Sequence, residues 1–342
     1  MLQPVFVHDR RPIPLTWSFP MRHPRFACVL IFFALAAAGC ISHDRNWRQT
    51  AIEEEGSGSA RIAVVDISGP IRFGGGRFSE GGGMEEVCRQ LRMAEQDDAV
   101  KAVVVTLDTP GGDVVASDAV HARLLALRAK GKPVVALQRS ICASGGYYIS
   151  CAADTVLCGK GTMTGSIGVI FMSPEIMGLA AKIGVGMNVI ASGPRKDMGS
   201  MFRPMKDEER ALIQAMTDQL YAEFLTVVVQ GRKGRGPVPA DAAAAEAKLR
   251  PLADGRVYTG EQALALGLVD GFGHLPEALA EARRLTKLKE ATVFRYERSS
   301  MAFGFIADAQ THPPQVVNGL NLNVGDLTKF LQPGMAFLWT GN

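Results

Sequence analysis

The chain lacks most of what assigns a protein to a metal, nucleotide or nucleic-acid class. Its six cysteines include no C-x-x-C pair, so no structural zinc site is spelled out. The glycines at 74–76 and 81–83 fit no phosphate-binding pattern and read as a flexible loop. Net charge is only +3, and setting aside the four arginines and one aspartate of residues 1–39 leaves 33 basic and 33 acidic residues. A neutral body argues against a nucleic-acid surface, which would need a basic excess. The one dense basic run, Gly231-Arg232-Lys233-Gly234-Arg235-Gly236, reads as a solvated loop between helices, with contact to anionic lipid as the alternative. No internal repeat is visible. What remains is a globular composition: 342 residues, 47% hydrophobic and 21% charged, enough for one large or two ordinary domains.

The amino terminus reads as a targeting segment. Met21-Arg22-His23-Pro24-Arg25 supplies a positive start, and Phe26 to Ala38 is an apolar run of 13 residues. A bilayer-spanning helix needs ~20, so the run has the proportions of a signal sequence. It ends in Ala37-Ala38-Gly39-Cys40, which resembles a lipoprotein signal with Cys40 as the modified residue, although Ala37 stands where such signals prefer leucine. An uncleaved membrane anchor is the alternative, and Met21 is a candidate true start. Either way the remainder lies outside the cytoplasm. Residues 1–39 are thus expected to be a signal sequence and 40–60, polar with Gly and Ser, a tether.

From residue 61 onward strand and helix patterns alternate. Apolar, β-rich runs at Ile62–Ile67, Val103–Leu107, Pro133–Leu137, Thr155–Leu157, Ile167–Ile170 and Val185–Ala191 predict strands. Helices are predicted near Met84–Glu95, Ser117–Ala129, after Ser144, and over Pro174–Ile183, Asp207–Val229 and Asp241–Leu249. Alternation of this kind predicts an α/β architecture with buried, largely parallel strands. Cys142, Cys151 and Cys158 lie in apolar segments and are expected as small core residues. The tail beyond residue 300 is apolar in patches, and either docks on a neighbouring surface or stays loosely ordered.

Ser144 stands in Ala143-Ser144-Gly145-Gly146-Tyr147-Tyr148, between an apolar strand and a glycine-opened helix. Such a serine is either a helix N-cap or a nucleophile with backbone N–H groups facing its hydroxyl. The nucleophile-elbow pattern G-x-S-x-G is absent, because position 142 is cysteine. A serine hydroxyl needs a base, and neither His121 nor His274 has a supporting motif. Lys196, in Ser192-Gly193-Pro194-Arg195-Lys196-Asp197, is a candidate base or simply a surface lysine. An ordinary lysine, with a pKa near ~10.4, is protonated at pH 7, so a base lysine requires a desolvated site. Asp108 and Asp154 read as turn and helix-end residues.

These segments resemble the signal peptide peptidase A (protease IV) family of serine-lysine peptidases. The resemblance runs from about Arg61 to Gly273. It adds Leu107-Asp108-Thr109-Pro110-Gly111-Gly112, Thr164-Gly165-Ser166-Ile167-Gly168-Val169, Phe202-Arg203-Pro204-Met205, Asp254 to Gly260 and Gly267-Leu268-Val269-Asp270, in order. It implies a Clp-protease/crotonase-like fold of repeated β-β-α units, with one catalytic domain over residues 61–300 and a tail over 301–342. It further implies Ser144 as nucleophile, Lys196 as general base and Ser166 as the residue orienting the lysine. Gly112 and Gly145, with Gly111 as a further candidate, would be the oxyanion donors. No metal or organic cofactor is implied. The partners implied are extended apolar peptides such as signal-peptide remnants, a membrane on the periplasmic side, and other copies in a ring with shared sites. A catalytically silent scaffold and a crotonase-like acyl-CoA enzyme are the competing readings.

Overall fold

The computed structural model describes residues 47–53, 59–74, 83–298 and 334–338. Apart from Trp47 these belong to one compact unit, Arg48–Asn342. The expected signal sequence, Cys40 and most of the tail lie outside the described residues.

Continuous apolar runs make strands that can be covered on both faces, and the centre of the molecule is built from them. The order is β1 (Trp47–Glu53), β2 (Arg61–Ser68), α1 (Met84–Gln96), β3 (Val100–Thr109), β4 (Gly111–Asp113), α2 (Val114–Ala129), β5 (Val134–Ala143), α3 (Gly145–Ser150), β6 (Thr155–Cys158), β7 (Met163–Gly165) and β8 (Ile170–Met172). There follow α4 (Met177–Lys182), α5 (Asp207–Arg232), α6 (Ala242–Leu249), β9 (Val257–Thr259), α7 (Gly260–Leu266), β10 (Gly271–Phe272), α8 (Leu275–Thr286), β11 (Thr292–Arg298) and β12 (Gly334–Leu338). The main sheet runs β1-β11-β2-β3-β5-β6-β10, and its pairs from β11 to β10 are all parallel. The predicted α/β architecture is the one observed, and β3, β4 and α2 form a β-β-α unit in succession.

One face of the sheet is closed by α8, whose Ala278, Leu279 and Ala282 pack on Ile62, Val64, Ala102, Val104, Val135 and Leu137. The other is covered by α1 and α2, which bury Val87, Leu91, Leu124 and Leu127. The C-terminal carbonyls of α1 are capped from a distance: the Lys132 ammonium donates to Ala94 O, Glu95 O and Asp97 O at 2.7–2.9 Å.

β5 is the strand that positions the site. Its first half pairs with β6, from Val135↔Thr155 to Gln138↔Cys158. Its second half leaves β6 and pairs with β7, Ile141↔Met163 to Ala143↔Gly165. Chain after Ala143 is therefore delivered beside Gly165.

Several expectations are corrected. Val185–Ala191 is not a strand: the segment has no sheet partner and its apolar side chains are exposed. The strand expected at Ile167–Ile170 begins only at Ile170, and α2 starts at Val114, where the Asp113 carboxylate accepts from Ala116 N at 2.7 Å. Residues 47–53, expected within the tether, form β1 at the sheet edge. The tail contributes β12, held antiparallel between β4 and β8.

The basic loop is also not wholly solvated. Arg232 closes α5 at 1% exposure, donating from Nε to Gly267 O at 2.8 Å and in a two-point pair to Asp270 at 2.7 and 3.1 Å. Asp270 in turn accepts Val156 N at 2.7 Å, tying α5 to β6. Removing one partner of a buried pair strands the other. Arg232→Ala should therefore cost about 3–5 kcal/mol in urea denaturation, and replacing Arg232 and Asp270 together by apolar residues should cost less than either single change.

Candidate active site

Ser144 follows β5 directly, and its backbone is fixed before its side chain matters. Its N–H donates to Gly165 O at 2.8 Å, and its own carbonyl accepts Tyr148 N at 2.9 Å. Between these two bonds the residue is forced to φ 52°, ψ −111°. Among the described residues only Ser144, Ser166 and Lys287 are non-glycine residues at positive φ. Such conformations cost about 1–3 kcal/mol each and persist where the surroundings over-determine them. Ser144 occupies the N-cap position of α3, but its side chain makes no capping bond to the helix. Its Oγ has only a long contact, 3.5 Å, to Gly168 O.

The glycines around it are required by close approach. A Cβ on Gly145 would lie 2.5 Å from Ser117 Oγ and 3.4 Å from Gly111 Cα. A Cβ on Gly112 would lie 2.0 Å from Ile71 O, since β4 turns back onto that residue: Asp113 N donates to Ile71 O at 2.7 Å and Ile71 N to Gly111 O at 2.8 Å. The Gly111 N–H is engaged by Thr109 Oγ1 at 3.1 Å, and Gly112 stands in the rung that pairs with Phe337 of β12. Thr109 and Ser117 were not singled out by the sequence. The only signal for Thr109 was its place in the Asp108-Thr109-Pro110 turn.

Ser166 is brought to Ser144. It is buried, lies one residue past the carbonyl that receives the Ser144 N–H, and donates its own N–H to Arg256 O at 2.9 Å. A cavity of about 410 Å³ opens there, lined by Ser166, Gly168, Ile170, Tyr221 and Asp254. A larger one, about 700 Å³, is lined by Thr106, Gln138, His274 and Arg295 and by none of the candidate catalytic residues.

Lys196 is held by a different part of the chain from Ser144. It lies exposed in a turn, with its N–H on Gly193 O at 3.2 Å, and among the described residues no bond joins its side chain to Ser144. That turn is anchored nonetheless. Arg203 grips Asp197 at 2.7 and 2.8 Å and the buried Glu209 at 2.6 and 2.9 Å. The guanidinium bonds hold the Asp197 carboxyl down to about 2. Arg195, the neighbour expected to act on the lysine, points instead to Glu208 at 3.6 Å.

The remaining candidates are structural. His121 is buried edge-on to Tyr148, with ring centroids 5.0 Å apart, and burial pushes it down to about 4. Asp108 accepts Ile141 N, and Asp154 accepts Val134 N and Arg128 Nε. Cys142, Cys151 and Cys158 are free and buried, the first two pushed up to about 12 by burial. Among the described residues no cluster could hold a metal ion, and no helix is long and apolar enough to cross a membrane.

An α/β fold with a strained serine between strand and helix defines the class. Residues 126–289 match the profile of Peptidase family S49. Protease 4 of Salmonella typhi is 35% identical over 250 residues, 73% of this chain and 38% of that protein, so the chain spans about two-fifths of that relative's length. A Synechocystis protein named as a protease is 37% identical over 67% of this chain and 75% of its own. An Enterococcus faecium protein named signal peptide peptidase SppA is 34% identical over 73% of this chain and 71% of its own. The chain belongs to peptidase family S49.

The buried histidine gives a pH test. Unfolded His121 takes up its proton near 6.5, whereas the folded side chain resists to about 4. Between those values acid favours the unfolded chain, so stability is full above ~6.5 and falls as pH drops towards ~4. In urea titrations His121→Phe should flatten that fall by up to about 3 kcal/mol while leaving activity at pH 8 nearly unchanged.

Proposed function

We propose that the chain is a membrane-tethered serine endopeptidase working through Ser144 and Lys196. The observation that carries this is the strained, uncapped Ser144 beside two glycines that admit no side chain. Ser144 Oγ attacks a peptide carbonyl while the Lys196 amine takes its proton and hands it to the leaving amine. The Gly112 and Gly145 N–H groups receive the charge that develops on the carbonyl oxygen. Water, deprotonated by the same lysine, then resolves the acyl-enzyme. Ser166 holds the lysine in place.

The lysine must be covered to serve, and in a single chain it is exposed. A ring of copies supplies the cover, the lysine turn of one copy reaching the Ser144 of its neighbour. In support, the segment before Lys196 carries an exposed apolar row: Leu179, Ile183, Val185, Met187, Val189 and Ile190 are 49–101% exposed. A row of that kind is the mark of an interaction surface. Family membership supports peptides as substrates, and the name of the Enterococcus relative favours signal-peptide remnants and other extended apolar segments. Attachment through a lipid on Cys40, or through an uncleaved anchor, would hold the site at the periplasmic face of the membrane.

Ser144→Ala and Lys196→Ala should each lower peptide hydrolysis at least ~1000-fold without unfolding, with the double variant little worse. Co-expressing the two single variants distinguishes shared from private sites. Random mixing across an interface leaves about a quarter of sites intact. No recovery in verified mixed assemblies would show that the two residues act within one chain.

A further inference from the structure

The turn that carries Lys196 is built around one side chain, Arg203. Its Nε and Nη2 make a two-point pair with the Asp197 carboxylate at 2.7 and 2.8 Å, and Nη2 also reaches Asp197 O at 3.2 Å. On the other side Nη2 and Nη1 donate to the Glu209 carboxylate at 2.6 and 2.9 Å, and Nη1 to Pro204 O at 3.0 Å. Glu209 is buried in the first turn of α5, where its carboxylate also accepts Lys206 N at 3.1 Å. Two further bonds tie the same segment to the connection after β8. Ser173 Oγ donates to Gly199 O and Ile176 N to Met201 O, both at 2.7 Å.

Asp197 adjoins the proposed base. An unmatched carboxylate there would favour the ammonium form of Lys196, the form that cannot take a proton. Other charges stand around the turn: Asp207, Glu208, Glu209 and Arg210 at the head of α5, Glu175 on the connection after β8 and Lys182 in α4. Arg195 is turned to Glu208 at 3.6 Å, and Lys206 acts on Asp197 only through space. Arg203 is the cation bonded to the Asp197 carboxylate. Those bonds hold Asp197 down to about 2, so it stays charged at neutral and alkaline pH. We propose that Arg203 is a positioning residue for the reaction: it pins the Lys196 turn to α5 and cancels the Asp197 charge beside the lysine, so that the amine stands neutral for Ser144. This rests on the reading of Lys196 as base. A lysine in place of Arg203 would bring one charge but no planar fork to bridge two carboxylates.

The test follows kcat/KM for a reporter peptide against pH in full-length chains: native, Lys196→Ala, Asp197→Asn, the pair Arg203→Met with Glu209→Gln, and that pair with Asp197→Asn added. Changing Arg203 and Glu209 together avoids stranding a buried carboxylate, and circular dichroism verifies the fold. With a lysine base, activity rises with pH as the amine loses its proton. Leaving Asp197 unmatched in the pair variant should move that rise about one pH unit higher. Adding Asp197→Asn should bring the rise back, while the maximum stays about 10- to 100-fold below native because the turn is no longer pinned. Asp197→Asn alone keeps the buried Arg203–Glu209 pair and should move the rise to lower pH, which decides the matter should the pair variant not fold. With Lys196→Ala inactive, a rise that stays at the native pH overturns the proposal, even if the maximum falls, and leaves the lysine reading standing. Near-native hydrolysis by Lys196→Ala overturns both.

Discussion

One backbone hydrogen bond organises the site, the 2.8 Å bond from Ser144 N–H to Gly165 O. It is the last rung of the β5–β7 pairing, and it exists because β5 abandons β6 halfway along. With Ala143 paired to Gly165, Ser144 and Ser166 both emerge from the same rung, and both do so at positive φ. The strain is paid by the surroundings. Tyr147 is fully buried with its hydroxyl on Leu268 O at 2.8 Å, and Gly145 packs against Ser117 and Ile71 too tightly for any larger residue. Relaxing Ser144 to negative φ would require moving α3, and α3 lies in the core.

The two halves of the proposed catalytic pair are held by different physics. Ser144 is set by close packing, which is stiff and leaves little freedom. The Lys196 turn is set by ion pairs at the head of α5, where Arg203 bridges Asp197 and Glu209. Exposed pairs of this kind are ordinarily weak. Glu209 at 1% exposure is the exception that makes the bridge effective, since a buried carboxylate must keep its partner. The arrangement fixes the base of the turn and leaves the lysine itself free to meet another surface.

What could be read in the sequence follows the same division. β2, β3 and β5 were legible because burial on both faces makes a continuous apolar run that no loop would carry. Val185–Ala191 misled because alternating apolar residues describe any segment awaiting a partner, whether a sheet or another surface. β9 and β10 have three and two residues, too short for periodicity to register. β11 carries Arg295 and Glu297 among its apolar positions, so it reads as polar chain although it pairs in register with β2. Ser144 and its glycines were visible because close approach demands glycine. The roles expected of Lys196 and Ser166 came only from resemblance, since a lysine in a turn and a serine after a glycine have no local signature that decides them. Arg203 lay in a quoted motif, yet its task depends on Asp197 and Glu209, each six residues away, and only the fold brings the three together.

The stretch from Ile167 to Lys196 is where the single chain is least complete. It begins beside the buried rung with Ser144, passes through β8, which pairs with β12, continues through an exposed apolar row and ends at an exposed lysine. Exposed apolar side chains of this kind invite association. The segment thus holds a strand at one end and presents an exposed apolar surface at the other. β12 covers the β8 edge within the chain, while the apolar row stays open. Whatever displaces β12 from β8 acts five residues from the first turn of the exposed row.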